Sequence, residues 1–266
     1  AIQTIALFFM MGMGMFGQGF VGKLAFPSAN VSDRLEKTFT SVNFNMMIMV
    51  IYALITIAIF GMWYYARYEG NFLPFPKKTF NPMMIVAIVI LVPGTQFAAN
   101  FIANLTGYIR PDWLQQYNEL FETSGITDTT FVTVLYSVIL APICEELIFR
   151  GVTMRCARKA LPFALANLMQ AALFGLFHLN WIQGIYAFAL GIVLGYVCEC
   201  GGSIYYSIGL HLLFNLWGTL SGFFPDPGNS AVVFVIVIAV TIVSLVVGFV
   251  LFNKGRRKLP INSTGI

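Results

Sequence analysis

The sequence predicts an all-α, polytopic membrane helix bundle of about eight transmembrane helices, with a polar intramembrane cavity, in a single domain spanning 1–266. Three observations predict it. Hydrophobic residues occupy 58% of the 266 positions. Charged residues occupy only 10%, against roughly 25% in soluble domains. Apolar runs of about 20 residues, the length that crosses a bilayer, recur along the chain. A soluble fold of this size needs a polar exterior that this composition does not supply. The same composition excludes a disordered chain, a collagen and a disulfide scaffold. No linker, internal repeat or low-complexity segment divides the sequence.

The expected spans lie near 2–22, 44–66, 83–106, 129–149, 163–181, 183–199, 203–223 and 231–253. The first is rich in Gly, Met and Phe (Met10 to Met15, Phe16), which suits lipid contact or bundle packing. Between the third and fourth, Pro111-Asp112-Trp113 opens a polar, aromatic stretch through Glu122. That stretch reads as an interfacial helix, because Trp and Tyr settle at headgroup level. The fifth and sixth are short, with almost no connector. Gly191-Ile192-Val193-Leu194-Gly195 in the sixth is a small-xxx-small pattern that lets helices approach closely.

Basic residues orient the bundle. With eight spans, Arg67, Lys77, Lys78, Arg150, Arg155, Arg158, Lys159, Lys254, Arg256, Arg257 and Lys258 fall on one side. Only Lys23, Arg34, Lys37 and Arg110 fall on the other. Positive-inside bias therefore places both termini in the cytoplasm. The formal net charge of +4 is no nucleic-acid signal, since the cations cluster between apolar runs. Four cysteines (Cys144, Cys156, Cys198, Cys200) form no CxxC, and apolar helices hold free Cys as small hydrophobes.

Ionisable side chains in lipid cost roughly 2.5–3.5 kcal/mol each on insertion scales, so they mark chemistry. Glu145, Glu146 and Arg150 lie within or at the end of the fourth span, in Cys144-Glu145-Glu146-Leu147-Ile148-Phe149-Arg150. Both histidines of the chain, His178 and His211, lie in apolar segments as well. Glu146 and Arg150 are four apart and share a helix face, an arrangement that is often only a structural clasp. Glu145 lies about 100° round the helix and needs a partner from elsewhere. Phe174 shares a face with His178, and His211 with Asn215.

A carboxylate and an imidazole sharing one water make a hydrolase arrangement. Glu145 suits the general base and His178 its partner on the water. His211 and Asn215 suit donors to the oxyanion of a cleaved amide. Zinc is the competing reading, since two His and a Glu make a three-ligand site, although no His-Glu-x-x-His occurs. Cys144 adjoins Glu145 but points away from it, which disfavours a thiol nucleophile.

Glu-Glu-x-x-x-Arg at 145–150, Phe-x-x-x-His at 174–178 and His-x-x-x-Asn at 211–215, in that order on separate apolar segments, resemble the signature of the CAAX prenyl endopeptidases. These are the type II Ras-converting enzymes of the superfamily that includes bacteriocin-immunity proteins. The resemblance implies a glutamate-dependent intramembrane endopeptidase, without cofactor or covalent intermediate, that removes the last three residues of a prenylated Cys-a-a-X substrate on the cytoplasmic side. It implies Glu145, His178, His211 and Asn215 as catalytic residues, with Glu146, Arg150 and Phe174 in support. Its partners are then a prenylated peptide or protein and the bilayer, with no nucleic acid. A lateral opening to lipid for the prenyl chain belongs to the same implication. A non-catalytic immunity or scaffold protein that binds lipidated peptides is the alternative of another class. A proton-relay transporter is a third, disfavoured by the lack of repeat symmetry.

One mismatch predicts that a boundary differs from the hydropathy reading. Glu145 falls about five residues from the cytoplasmic end of a span closing at 149, whereas His178 falls far along the fifth span. At 1.5 Å per residue they would lie roughly 10 Å or more apart in depth. Either the fifth helix enters the bilayer late, or the basic 155–159 segment dips inward.

Overall fold

A computed structural model describes residues 42–66, 81–124, 130–221 and 230–256, and the described residues form an all-α membrane helix bundle. The expected span at 2–22 lies outside the described residues. Eight helical elements follow in order: α1 (Val42–Tyr64), α2 (Pro82–Ile109), α3 (Pro111–Ser124), α4 (Phe131–Ala157), α5 (Phe163–Phe177), α6 (Trp181–Gly201), α7 (Ile204–Ser221) and α8 (Ala231–Arg256). Among them α2, α4, α6 and α8 are long and apolar enough to cross a membrane. Shorter apolar helices run over Ile48–Tyr64 and Phe163–Phe177.

α2 begins at a side-chain cap, where Asn81 Oδ1 accepts from Met83 N at 2.9 Å. It continues through Pro93, which lacks the N–H that an α-helix interior uses. A neighbouring helix repairs the break. Ser244 Oγ on α8 accepts from Gly94 N at 2.9 Å and donates to the Ile90 carbonyl. At the far end of this pair, Asn81 Nδ2 donates to the Gly255 carbonyl at 2.9 Å. The opposite face of α8 (Val232, Val235, Ile236, Ile242, Val243, Val246) is exposed, as an apolar lipid-facing surface is.

α4 differs from the hydropathy reading in two ways. It runs on to Ala157, because the cations expected to end the span find partners inside the bundle. Arg150 pairs with Glu146, and Arg155 Nη2 donates to the Tyr64 hydroxyl at 2.8 Å. At the helix end Arg158 Nε meets Glu199 Oε1 at 2.9 Å. Glu145 thus lies 12 residues from that end rather than about five, and His178 lies 15 residues from the start of α5. The longer α4 reduces the depth mismatch. The second difference is winding: π-helical stretches Leu135–Leu140 and Leu147–Met154 flank the α-helical Ala141–Glu146. Pro142, which removes a main-chain donor, stands just after the first. Such wide turns inside α-helices occur frequently at functional sites.

α5 and α6 form a close antiparallel hairpin through a turn where Leu179 takes φ 53°. A Cβ on Gly191 would lie 3.1 Å from Ala171 Cα, and one on Gly175 would lie 2.5 Å from the Gly184 carbonyl oxygen. The expected interfacial helix is present as α3. Arg110 at its entrance grips Asp112 through Nε and Nη2 at 2.9 and 2.6 Å. That hydrogen-bonded guanidinium holds the Asp112 carboxyl below its ordinary range. Arg110 also lies over the Trp113 ring, which stacks on Trp181 of α6 at 5.3 Å. All four cysteines are free.

A methyl at position 195 collides with the Asn167 carboxamide oxygen and lies 2.7 Å from Gln170 Nε2. Gly195→Ala is therefore expected to destabilise the hairpin by about 1–3 kcal/mol, the usual cost of overpacking. Thermal unfolding of the detergent-solubilised protein checks this.

Candidate active site

Two charges with no exposure at all stand at the centre of the bundle. Arg150 Nη1 donates to Glu146 Oε1 at 2.8 Å, and both side chains are 0% exposed. Taking an ion pair out of water is costly unless further hydrogen bonds satisfy it. Here Arg150 Nη2 reaches the Gly191 carbonyl on α6 at 3.3 Å, and the guanidinium lies 4.5 Å from the Phe174 ring centroid on α5. Gly191 is reachable because the small-residue face of α6 brings the helices together. Its carbonyl also accepts from Gln170 Nε2 at 2.8 Å. Gln170 Nε2 donates as well to Asn167 Oδ1, and Asn167 Nδ2 donates to the Ile192 carbonyl. The glycine pattern read as a packing device therefore also supplies an acceptor to the buried arginine.

Glu146 makes a second contact. Its Oε1 lies 2.9 Å from His211 Nδ1 on α7. A carboxylate paired with arginine accepts, so Nδ1 carries the proton and donates. That bond fixes the ring and turns Nε2 toward Glu145, whose Oε2 lies 3.6 Å away. Glu145 finds the partner its own helix lacks on α7, and its side chain is 15% exposed. The Glu146–Arg150 clasp is thus joined directly to His211.

His178 closes α5 as its C-cap. Its Nδ1 lies 2.9 Å from the Phe174 carbonyl oxygen, which only accepts. Nδ1 therefore carries a proton, and in the neutral ring Nε2 offers a lone pair. Glu145, His211 and Arg150 all lie within electrostatic reach of this imidazole. Phe174 packs edge-on against His178 and His211, with centroids at 5.0 and 5.7 Å. One aromatic ring thus touches both histidines and the arginine.

Asn215, one turn beyond His211, donates from Nδ2 to the Ser137 carbonyl at 2.8 Å. That carbonyl belongs to the first π-helical stretch of α4. The bond ties α7 to α4 and leaves Asn215 one amide hydrogen. Asn167, Gln170 and Ser137 were not singled out in the sequence, and Gly191 was read only as a packing residue. Asn167 and Gln170 carried a usable signal, as uncharged polar residues inside an apolar span. Gly191 and Ser137 act through main-chain carbonyls, which leave no mark in a sequence. Among the described residues, no group of three or more His, Cys, Asp or Glu side chains is arranged to hold a metal ion.

Residues 127–217 match the family model described as Type II CAAX prenyl endopeptidase Rce1-like. No curated protein and no solved structure matches the chain. The matched stretch carries Glu145, Glu146, Arg150, Phe174, His178, His211 and Asn215. That match covers about a third of the chain and agrees with the resemblance read from the motifs.

Glu146→Gln leaves the Arg150 charge buried without its counter-ion, a change that costs about 3–5 kcal/mol where such pairs have been broken. A large drop in the unfolding midpoint is expected. Glu145→Gln, at a partly exposed carboxylate, is expected to shift stability by no more than about 1 kcal/mol. Unfolding the two variants side by side measures the contrast.

Proposed function

We propose that this Rce1-like protein is an intramembrane endopeptidase that hydrolyses the peptide bond after the prenylated cysteine of a Cys-a-a-X substrate, releasing the aaX tripeptide. One observation supports this reading above the others. Glu145, a carboxylate with access from outside the core, lies 3.6 Å from His211 and within electrostatic reach of His178, and hydrogen bonds within the chain orient both rings.

Glu145 takes a proton from water while His178 Nε2 orients it, and the water oxygen bonds to the scissile carbonyl carbon. The carbonyl electrons move onto oxygen, giving a tetrahedral oxyanion. His211, in its imidazolium form, gives one N–H to Glu146 and the other to this oxygen. The remaining amide hydrogen of Asn215 is the second donor. Collapse breaks the C–N bond, and Glu145 returns its proton to the leaving amine. No bond to the protein forms, and the products are the prenylcysteine carboxylate and a free tripeptide. A preorganised donor of this kind is worth about 10²–10³-fold in rate in other enzymes.

The surroundings set a division of labour. Glu146 is fully buried and charge-paired with Arg150 through the oxygen that also holds His211, so it is a positioning residue, and the more accessible Glu145 is the base. The basic ends of α4 and α8 favour a cytoplasmic orientation for those ends. We place the opening of the site on that side, with lateral access for the prenyl chain.

The experiment is cleavage of a farnesylated Cys-a-a-X peptide by purified protein, read by mass spectrometry of the released tripeptide. Glu145→Ala is expected to lower the rate by about 10²–10⁴-fold, the range for loss of a general base. Retained activity would sink the assignment. Exhaustive chelation is expected to leave the rate unchanged, and loss of activity restored by zinc would favour the metalloprotease reading. Tight binding without product would favour a lipopeptide-binding scaffold.

A further inference from the structure

The two donors assigned to the oxyanion have each given part of their capacity within the chain. Asn215 Nδ2 donates to the Ser137 carbonyl. His211 Nδ1 is committed to Glu146, and its Nε2 stands 3.6 Å from Glu145 Oε2. Charge developing beside Glu145 therefore meets one amide hydrogen and one imidazole edge that Glu145 also attracts.

Tyr52, on α1, has its hydroxyl in the same neighbourhood with its capacity unspent. The Tyr52 Oη is buried and has no hydrogen-bond partner in the protein. The Thr56 hydroxyl one turn along lies beside it without meeting hydrogen-bond geometry. Two links bring this phenol near Glu145. The carbonyl of the next residue, Ala53, accepts from Cys144 Sγ at 3.2 Å, and Cys144 directly precedes Glu145. The phenol also lies within electrostatic reach of both Cys144 and Glu145. Tyr136 of α4 lies within electrostatic reach of the same groups. Buried hydroxyls are nearly always hydrogen-bonded, so an unpartnered one calls for an explanation. A phenol is a donor that keeps its proton at neutral pH.

We propose that the Tyr52 hydroxyl is a further catalytic residue, a third donor to the oxyanion. This rests on the proteolytic reading of Glu145. As the water oxygen bonds to the scissile carbon, the carbonyl electrons pass to the oxygen that Tyr52 Oη–H meets. They return when the C–N bond breaks, and the phenol ends the cycle unchanged. The substrate carbonyl supplies the partner that the hydroxyl lacks within the chain.

Tyr52→Phe removes one oxygen and keeps the ring packed against the core. The expected result is a fall in kcat of about 10- to 100-fold, below the effect of a principal oxyanion donor, with KM within about threefold of wild type. Affinity for a phosphonate analogue of the farnesylated peptide, which presents a tetrahedral oxyanion, should fall by a similar factor, since the interaction belongs to the transition state. The thermal midpoint should stay equal or rise, because an unpartnered buried hydroxyl is destabilising. Wild type and Glu145→Gln run in parallel keep the two readings separate. If wild type releases tripeptide and Glu145→Gln does not, a Tyr52→Phe variant with wild-type kcat and wild-type phosphonate affinity overturns the role of Tyr52 alone. A lower midpoint with unchanged phosphonate affinity also overturns it, in favour of a packing role. If wild type releases no tripeptide, both readings fall.

Discussion

The buried contact among Arg150, Glu146 and His211 is the constraint on which the rest depends. An unscreened cation at the centre of an apolar bundle is unaffordable without a counter-ion, and Glu146 supplies it from one turn away. The same carboxylate oxygen also accepts from His211, so the charge balance of α4 dictates where α7 must pack. Gly191 must bring α6 close enough to offer its carbonyl to the guanidinium, and Phe174 must cover the cation's face. Four helices are thereby registered to one another by a single polar cluster. Hydrophobic contact alone, which slides easily in lipid, does not provide that register.

From that register the geometry of the outer cluster follows. Once His211 Nδ1 is held by Glu146, Nε2 points at Glu145. Once α5 packs on α6 through its glycines, His178 at the end of α5 comes within electrostatic reach of Glu145. The π-helical turns of α4 flank the acidic pair, and one of them presents the Ser137 carbonyl that tethers Asn215. The adjacent glutamates thus differ: Glu146 faces inward and holds both Arg150 and His211 through one oxygen, while Glu145 faces the more open side.

Much of this was legible in the sequence because polar residues are rare in an apolar chain. Glu145, His178, His211 and Asn215 stood out against their neighbours, and the i, i+4 spacing of Glu146 and Arg150 announced their pairing. The apolar runs within the described residues were legible as helices for the same reason, and α3 was marked by Pro111-Asp112-Trp113. What escaped depends on partners distant in sequence. Arg155 and Arg158 read as loop cations, but Tyr64 and Glu199 provide partners as α4 continues past 149. Glu146 looked like half of a clasp because its bond to His211 spans 65 residues. Gly191 and Ser137 contribute carbonyls, which every residue possesses. The packing glycines were visible as a pattern, but their polar consequence was not.

The most direct measurement follows the oxygen. Purified protein is given a farnesylated Cys-a-a-X peptide in ¹⁸O-labelled water, and both products are weighed by mass spectrometry. The account predicts a free tripeptide and a farnesylcysteine carboxylate carrying one ¹⁸O from the wild-type protein, and neither from a folded Glu145→Gln variant. Equal product from that variant, or intact substrate with the wild-type protein, would contradict it.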